Sequence, residues 1–176
     1  MSEVEAFLGL GSNLGDRAGR IGEALERLSG CDGIGAVHPS GLYETSPVGG
    51  PEQPWYLNAA AGVSTSLEPQ ALLEACLRIE RDMGRVRAVP NGPREIDLDV
   101  LLYGQRVVIS PDLVIPHAAM TGRLFVLAPL AEIAGDVTHP VEKVRIAELL
   151  ARLGASGGAE VVRRFSGPAL SVRHRR

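Results

Sequence analysis

Asp97-Leu98-Asp99-Val100-Leu101-Leu102-Tyr103 alternates carboxylates with aliphatic residues and then becomes wholly apolar. In a strand, residues two apart face the same way. The run from Glu95 to Tyr103 therefore reads as a strand, with Ile96, Leu98, Val100 and Leu102 on a core face and Asp97 and Asp99 opposite them. At a rise of ~3.3 Å per residue the two acidic Cα atoms lie roughly 6.5–7 Å apart. Carboxylates at that spacing suit a pair of hard cations, which sit ~3.5–4 Å apart in two-metal sites. Without a cation or an arginine to compensate, the pair repels itself. Taken alone, D-x-D is equally the solvated face of an edge strand.

The segments around this strand set the fold class. Residues 4–10 read as a first strand, and residues 11–15 as a turn whose glycines permit positive φ. Asp16 is placed to cap a helix over 17–29, with Ile21, Leu25 and Leu28 on one face and Gly30 as its stop. Residues 36–46 and 56–66 read as two strands joined by a loop rich in proline and glycine. Pro69 suits the first turn of a second helix, whose stripe is Leu72, Cys76, Ile79 and Met83 and whose end is Gly84. After the acidic strand, Gly104-Gln105 turns the chain into a short strand over 106–109. Helices follow over 123–134 and 144–153, with a short strand near 160–165. The order β-α-β-β-α-β predicts an α+β domain with a mainly antiparallel sheet and helices packed on it. Residues 1–170 form a single domain in this reading, and 171–176 a mobile polar tail.

Composition narrows the chemistry. Net charge is −3, which creates no general attraction for nucleic acid. No apolar run reaches the ~20 residues that span a bilayer, and the acidic N-terminus lacks a secretory n-region. Cys31 and Cys76 form no metal-ligand pattern, and Cys76 lies on an apolar stripe as a reduced core thiol. A cytoplasmic protein is expected. Of 18 basic residues only Lys143 is a lysine. A phosphate site must therefore rest on arginine, metal and backbone amides. The P-loop pattern is absent, and Gly9-Leu10-Gly11-Ser12-Asn13-Leu14 fails the dinucleotide fingerprint at Leu14.

Arg85, Arg87 and Arg94 lie in the loop that leads into the two aspartates, and Glu80 precedes them on the second helix. Guanidinium forks beside paired carboxylates are what a metal–polyphosphate complex requires. Surface ion pairs of little energetic weight are the plain alternative. Aromatics make up only 4% of the chain. Tyr56 and Asn58 share a strand face, offering a stacking ring and an edge-reading amide to a flat heterocycle. Phe125 reads as core on sequence alone, Trp55 as a loop anchor, and His117 as a lone histidine before Arg123.

Taken together, these residues resemble a known family. Leu8-Gly9-Leu10-Gly11-Ser12-Asn13-Leu14-Gly15-Asp16, Tyr56-Leu57-Asn58-Ala59-Ala60, the run from Gly92 to Gly104, Ile115-Pro116-His117 and the run from Arg123 to Leu130 are similar to the motifs of 6-hydroxymethyl-7,8-dihydropterin pyrophosphokinase. The run Gly92-Pro93-Arg94-Glu95-Ile96-Asp97-Leu98-Asp99 is the most specific of these. The resemblance implies a ferredoxin-like core. It implies transfer of the terminal diphosphate of ATP to the pterin hydroxymethyl group, with release of AMP, in folate synthesis. It implies two Mg²⁺ ions on Asp97 and Asp99, and a pterin held by Thr45, Val48, Tyr56, Asn58 and Phe125. ATP would meet Glu80, Arg85, Arg87, Arg94, His117 and Arg123, with Arg85, Arg94, Asp97 and Asp99 as the catalytic set. The loop over 85–94 would close over ATP and exclude water. A monomer acting on small molecules, with no nucleic acid and no membrane, is expected. Asn91, Ala118 and Leu77 depart from the residues common in that family and leave the adenine contacts open. A two-metal phosphohydrolase, or a non-catalytic ferredoxin-like binding module, is the competing reading.

Overall fold

In the computed structural model, residues 2–86 and 89–173 are described. The elements in chain order are β1 (Val4–Ser12), α1 (Arg17–Ser29), β2 (Ile34–Pro39), β3 (Tyr43–Thr45), β4 (Tyr56–Thr65), α2 (Pro69–Asp82), β5 (Asp97–Tyr103), β6 (Val108–Ile109), β7 (Val114–Ile115), α3 (Leu124–Ala134), α4 (Ile146–Ala155) and β8 (Val162–Arg164). The main sheet runs β5-β1-β4-β3-β8, with β2 also on β4, and every pairing in it is antiparallel. The α+β class and the antiparallel sheet agree with the sequence reading.

The sheet is covered on both faces. Ala6, Leu8 and Leu10 of β1 and Leu98 and Val100 of β5 meet Ile21, Leu25 and Leu28 of α1 and Leu72, Cys76 and Ile79 of α2. On the other side Phe7, Ala60, Leu101 and Leu102 meet Leu127 and Leu130 of α3 and Leu149 of α4. Each fully buried leucine contributes about 1.5–3 kcal/mol by leaving water. α3 is apolar almost all round because it lies between the sheet and α4, two apolar surfaces at once. Asp16 caps α1, its carboxylate accepting the Gly19 N–H at 3.0 Å.

Four local expectations are corrected. β1 continues to Ser12, so Gly11 is a strand residue like Gly9 and not part of the turn, and of the glycines in that stretch only Gly15 has positive φ. The single strand expected over 36–46 is two, paired to successive parts of β4. Pro39 lacks an N–H and breaks the ladder. Ser40 bridges the gap: its N–H donates to the Ala60 carbonyl, and its Oγ accepts the Ala60 N–H. The strand expected over 106–109 is only β6, paired with β7 and outside the main sheet.

The fourth correction concerns β5 itself, which starts at Asp97. Leu8 pairs with Val100 but Phe7 with Leu102, so Leu101 is an extra residue in the ladder. Such a bulge reverses the facing of everything beyond it. Leu102 consequently packs toward α3, away from Leu98 and Val100. Asp97 and Asp99, before the bulge, keep the facing expected of them.

At the C-terminal end Leu170 and Val172 pack against the core, and the Arg173 N–H donates to Glu26 Oε1 at 3.2 Å. Residues 174–176 lie outside the described residues.

Candidate active site

The face of the sheet that carries Asp97 and Asp99 opens into a cavity because its central strand has no side chains there. Gly11 pairs with Asn58 on one side and Asp97 on the other; Gly9 pairs with Ala60 and Asp99. A Cβ built on Gly11 would lie 2.7 Å from Asn58 Oδ1. Gly11 is needed here for close approach, a different reason from the turn conformation read in the sequence, whereas a Cβ on Gly9 would meet Leu101 at an ordinary 3.5 Å.

Above this floor lies a narrow cavity of about 120 Å³. Thr45, Val48, Tyr56, Asn58, Phe125, Arg123 and both aspartates line it. Asn58 is 7% exposed, and its amide donates to Thr45 Oγ1 at 2.6 Å, which fixes the amide plane. A second cavity, about 540 Å³, adjoins the first. Glu80, Arg85, Arg94, His117, Arg123, Asp97 and Asp99 line that one. Asp97, Asp99, Arg94 and Arg123 border both cavities. One space is small and bounded by aromatic rings; the other is larger and bounded by guanidinium groups.

Ion pairs organise the boundary. Arg85 Nη1 donates to Asp97 Oδ1 at 2.6 Å and Arg94 Nη1 to Asp97 Oδ2 at 2.9 Å. Arg85 also pairs with Glu80, a buried side chain that accepts the Leu98 N–H at 2.7 Å. Burial raises the Glu80 pKa above its ordinary value, against the lowering influence of the Leu98 N–H and Arg85. Glu80 thus sits under the arginine and holds it from below.

Asp99 is different. Among the described residues its one ion-pair contact is with His117 Nε2, at 4.0 Å. Burial in the cleft, then the charges of Asp97 and Glu80, push its carboxyl up to about 7, with Arg123 and Arg85 pulling the other way. Nδ1 of His117 accepts the Ala119 N–H at 3.2 Å, so Nε2 carries the hydrogen and faces Asp99. Burial and then Arg123 lower the His117 pKa, which keeps the ring neutral.

Among the described residues no group of three or more Asp, Glu, His or Cys side chains converges on one point. The donor set is two carboxylates. That suits Mg²⁺, which binds through one or two carboxylates and takes its other ligands from phosphate and water.

Every site residue expected from the sequence borders one of these two cavities, except Arg87, which lies outside the described residues. The sequence reading missed a latch between the loops. Asn13, 2% exposed, exchanges backbone and side-chain bonds with Arg94, at 3.2 and 2.9 Å. Its amide also donates to Gln53 Oε1 at 3.0 Å, and Gln53 donates to the Asn91 carbonyl at 2.8 Å. No spacing rule joins residues so far apart. The floor glycines did leave a signal, their own period of two along a strand.

A family model described as 7,8-dihydro-6-hydroxymethylpterin-pyrophosphokinase (HPPK) matches residues 7–135. The 2-amino-4-hydroxy-6-hydroxymethyldihydropteridine pyrophosphokinase of Methylorubrum extorquens is 49% identical over 154 residues, 88% of this chain and 96% of that protein. The protein of the same name from Bacillus subtilis is 44% identical, over 75% of this chain and 79% of its own length. The folic acid synthesis protein fol1 of Pneumocystis carinii is 42% identical over 84% of this chain, which spans only 20% of that protein. The crystal structure of wild-type Plasmodium falciparum HPPK-DHPS superposes with a TM-score of 0.67 at 16% identity, over 85% of this chain and 44% of that one. At that identity it supports the fold alone.

Proposed function

The chain belongs to the 7,8-dihydro-6-hydroxymethylpterin pyrophosphokinase family, and we propose that its two joined cavities hold the two substrates of that family's reaction. The enzyme transfers a pyrophosphoryl group from ATP to hydroxymethyldihydropterin in folate biosynthesis. The observation that carries the site assignment is the shared border of Asp97, Asp99, Arg94 and Arg123 between a ring-lined cavity and an arginine-lined one.

In this reading the pterin enters the narrow cavity. Tyr56 and Phe125 flank its ring, and the Asn58 amide, steadied by Thr45, reads its edge. Thr45 and Val48 offer backbone groups. The triphosphate lies across Arg85, Arg94, Arg123 and His117, with Arg87 assigned there by resemblance. Glu80 aims Arg85. The pterin hydroxymethyl oxygen then forms a bond to the β-phosphorus. The bond from that phosphorus to the oxygen bridging to the α-phosphorus breaks, the hydroxyl proton is lost, and AMP departs. Such a transfer asks for in-line placement and charge neutralisation more than covalent chemistry. Magnesium, when bound at Asp97 and Asp99, would neutralise phosphate charge and polarise its oxygens. Two ions are assigned because the two carboxylates lie two residues apart on one strand face. Arg85 and Arg94, now on Asp97, would turn to phosphate as a cation takes over that carboxylate.

The core is taken as ferredoxin-like, supported by the spatial order β5-β1-β4 followed by β2 and β3. A monomer in the cytoplasm is the working assignment; among the described residues no helix is long and apolar enough to cross a membrane. The test is product analysis. Protein supplied with ATP, Mg²⁺ and hydroxymethyldihydropterin should release AMP in a pterin-dependent manner. ADP as main product, or inorganic phosphate released without pterin, would point to a phosphohydrolase. Pterin binding without turnover would point to a binding module.

A further inference from the structure

The first turn of α3 carries Arg123 and Phe125, yet it has no capping side chain of its own: Arg123 occupies the N-cap position and makes no capping bond. The cap comes from a distant part of the chain. The Leu124 N–H donates to Glu160 Oε2 at 3.0 Å and the Phe125 N–H to Glu160 Oε1 at 2.7 Å. A carboxylate in this place satisfies two of the helix's open N–H groups and meets the positive end of its dipole.

Glu160 is itself tightly held. The Val161 N–H donates to Ser46 Oγ at 2.9 Å and the Ser46 N–H to the Val161 carbonyl at 3.0 Å. The next residues form β8, paired with β3 from Tyr43 to Thr45. Arg164 of β8 bonds Glu132 Oε2, near the other end of α3, at 2.8 Å. One short segment therefore grips α3 at both ends and braces the strand that presents Thr45. This segment lies beyond residue 135, where the family match ends.

We propose that Glu160 is a positioning residue for the transfer reaction, fixing Phe125 against the pterin and Arg123 over the phosphates by capping α3 from outside the helix. The proposal rests on the reading that those two side chains meet the substrates. Glu160 touches neither substrate in this scheme. Without it the first turn frays, and the two side chains on that turn lose their shared orientation; the Arg123 guanidinium lies 5.5 Å from the centre of the Phe125 ring.

The test uses the full chain with Glu160→Ala, Glu160→Gln, Phe125→Ala and the Glu160→Ala/Phe125→Ala double variant. Amide hydrogen exchange is followed by NMR. Pterin affinity is measured by calorimetry with Mg²⁺ and a non-hydrolysable ATP analogue, and kcat by AMP release. Glu160→Ala should speed exchange at Leu124 and Phe125 while β1 and β4 stay protected. It should weaken pterin binding about tenfold, as expected for loss of a helix cap, and lower kcat. Glu160→Gln, which keeps one acceptor, should recover part of both. In the Phe125→Ala background the further loss from Glu160→Ala should be under about twofold, because the two act through one contact. Wild-type affinity and kcat in Glu160→Ala, or equal losses in both backgrounds, overturns the proposal. If Glu160→Ala does not fold, the same criteria apply to Glu160→Gln. A damaged Phe125→Ala beside a silent Glu160→Ala removes only the role of Glu160. Wild-type pterin affinity in Phe125→Ala removes the reading of the cavity as well.

Discussion

Gly11 of β1 faces Asn58 of β4 at a distance that leaves no room for a methyl group: a Cβ there would come within 2.7 Å of Asn58 Oδ1. The contact makes a backbone position into a determinant of binding. Gly11→Ala must push the Asn58 amide off Thr45 or lift it into the cavity. Pterin affinity should fall more than about tenfold, and stability by about 1–2 kcal/mol from overpacking. Calorimetric titration with pterin alongside urea unfolding checks both. Wild-type affinity would mean that the Asn58 amide does not read the ligand.

Asp99 sets the behaviour of the metal-free protein with pH. Its carboxyl is raised to about 7, so its contribution to stability is full below the ordinary carboxylate pKa and is lost as pH rises through about 7. In the presence of EDTA, Asp99→Asn should therefore be more stable than wild type at pH 7.5 and no better at pH 4. The side chain keeps 39% of its surface in water, which screens the repulsion and limits the gain to about 1–2 kcal/mol. With Mg²⁺ and ATP the order should reverse, since only the wild type gains from the bound complex. Thermal melts at the two pH values, with and without Mg²⁺ and ATP, decide the matter.

Arg85 and Arg94 both reach Asp97, but only Arg85 also reaches Glu80. Removing Arg85 strands a buried carboxylate whose remaining hydrogen bond is from the Leu98 N–H. Arg85→Ala should cost about 2–3 kcal/mol of stability, and Arg94→Ala no more than about 1 kcal/mol. Chemical unfolding of the two variants at neutral pH makes the comparison. Both should lower kcat. Equal stability losses would show that Glu80 does not depend on Arg85.

The two thiols should react at very different rates. Cys76 is fully buried, and burial pushes its pKa up to about 12; Cys31 is partly exposed. A chromogenic disulfide reagent at pH 8 should titrate one thiol in the native protein and two after denaturation. Rapid modification of both thiols in the native state would mean that the α2 core opens readily.

The sequence was sufficient where the physics is local. Two aspartates two apart in a strand share a face whatever the rest of the chain does, and the order of periodic segments limits the sheet to an antiparallel α+β arrangement. Arg85 and Arg94 and the described motif residues likewise took their places around one site. Tertiary structure decided everything that depends on which strands meet and in what register. The bulge at Leu101 turned Leu102 to the opposite layer, because one extra residue reverses every side chain after it. Gly9 and Gly11 became a floor only once Ala60 and Asp99 flanked the one, and Asn58 and Asp97 the other, across two ladders. Glu160 became the cap of α3 only because β8 settles on β3. A sequence pattern records what neighbouring residues share; the meeting of chain segments far apart is fixed by packing free energy summed over the whole molecule.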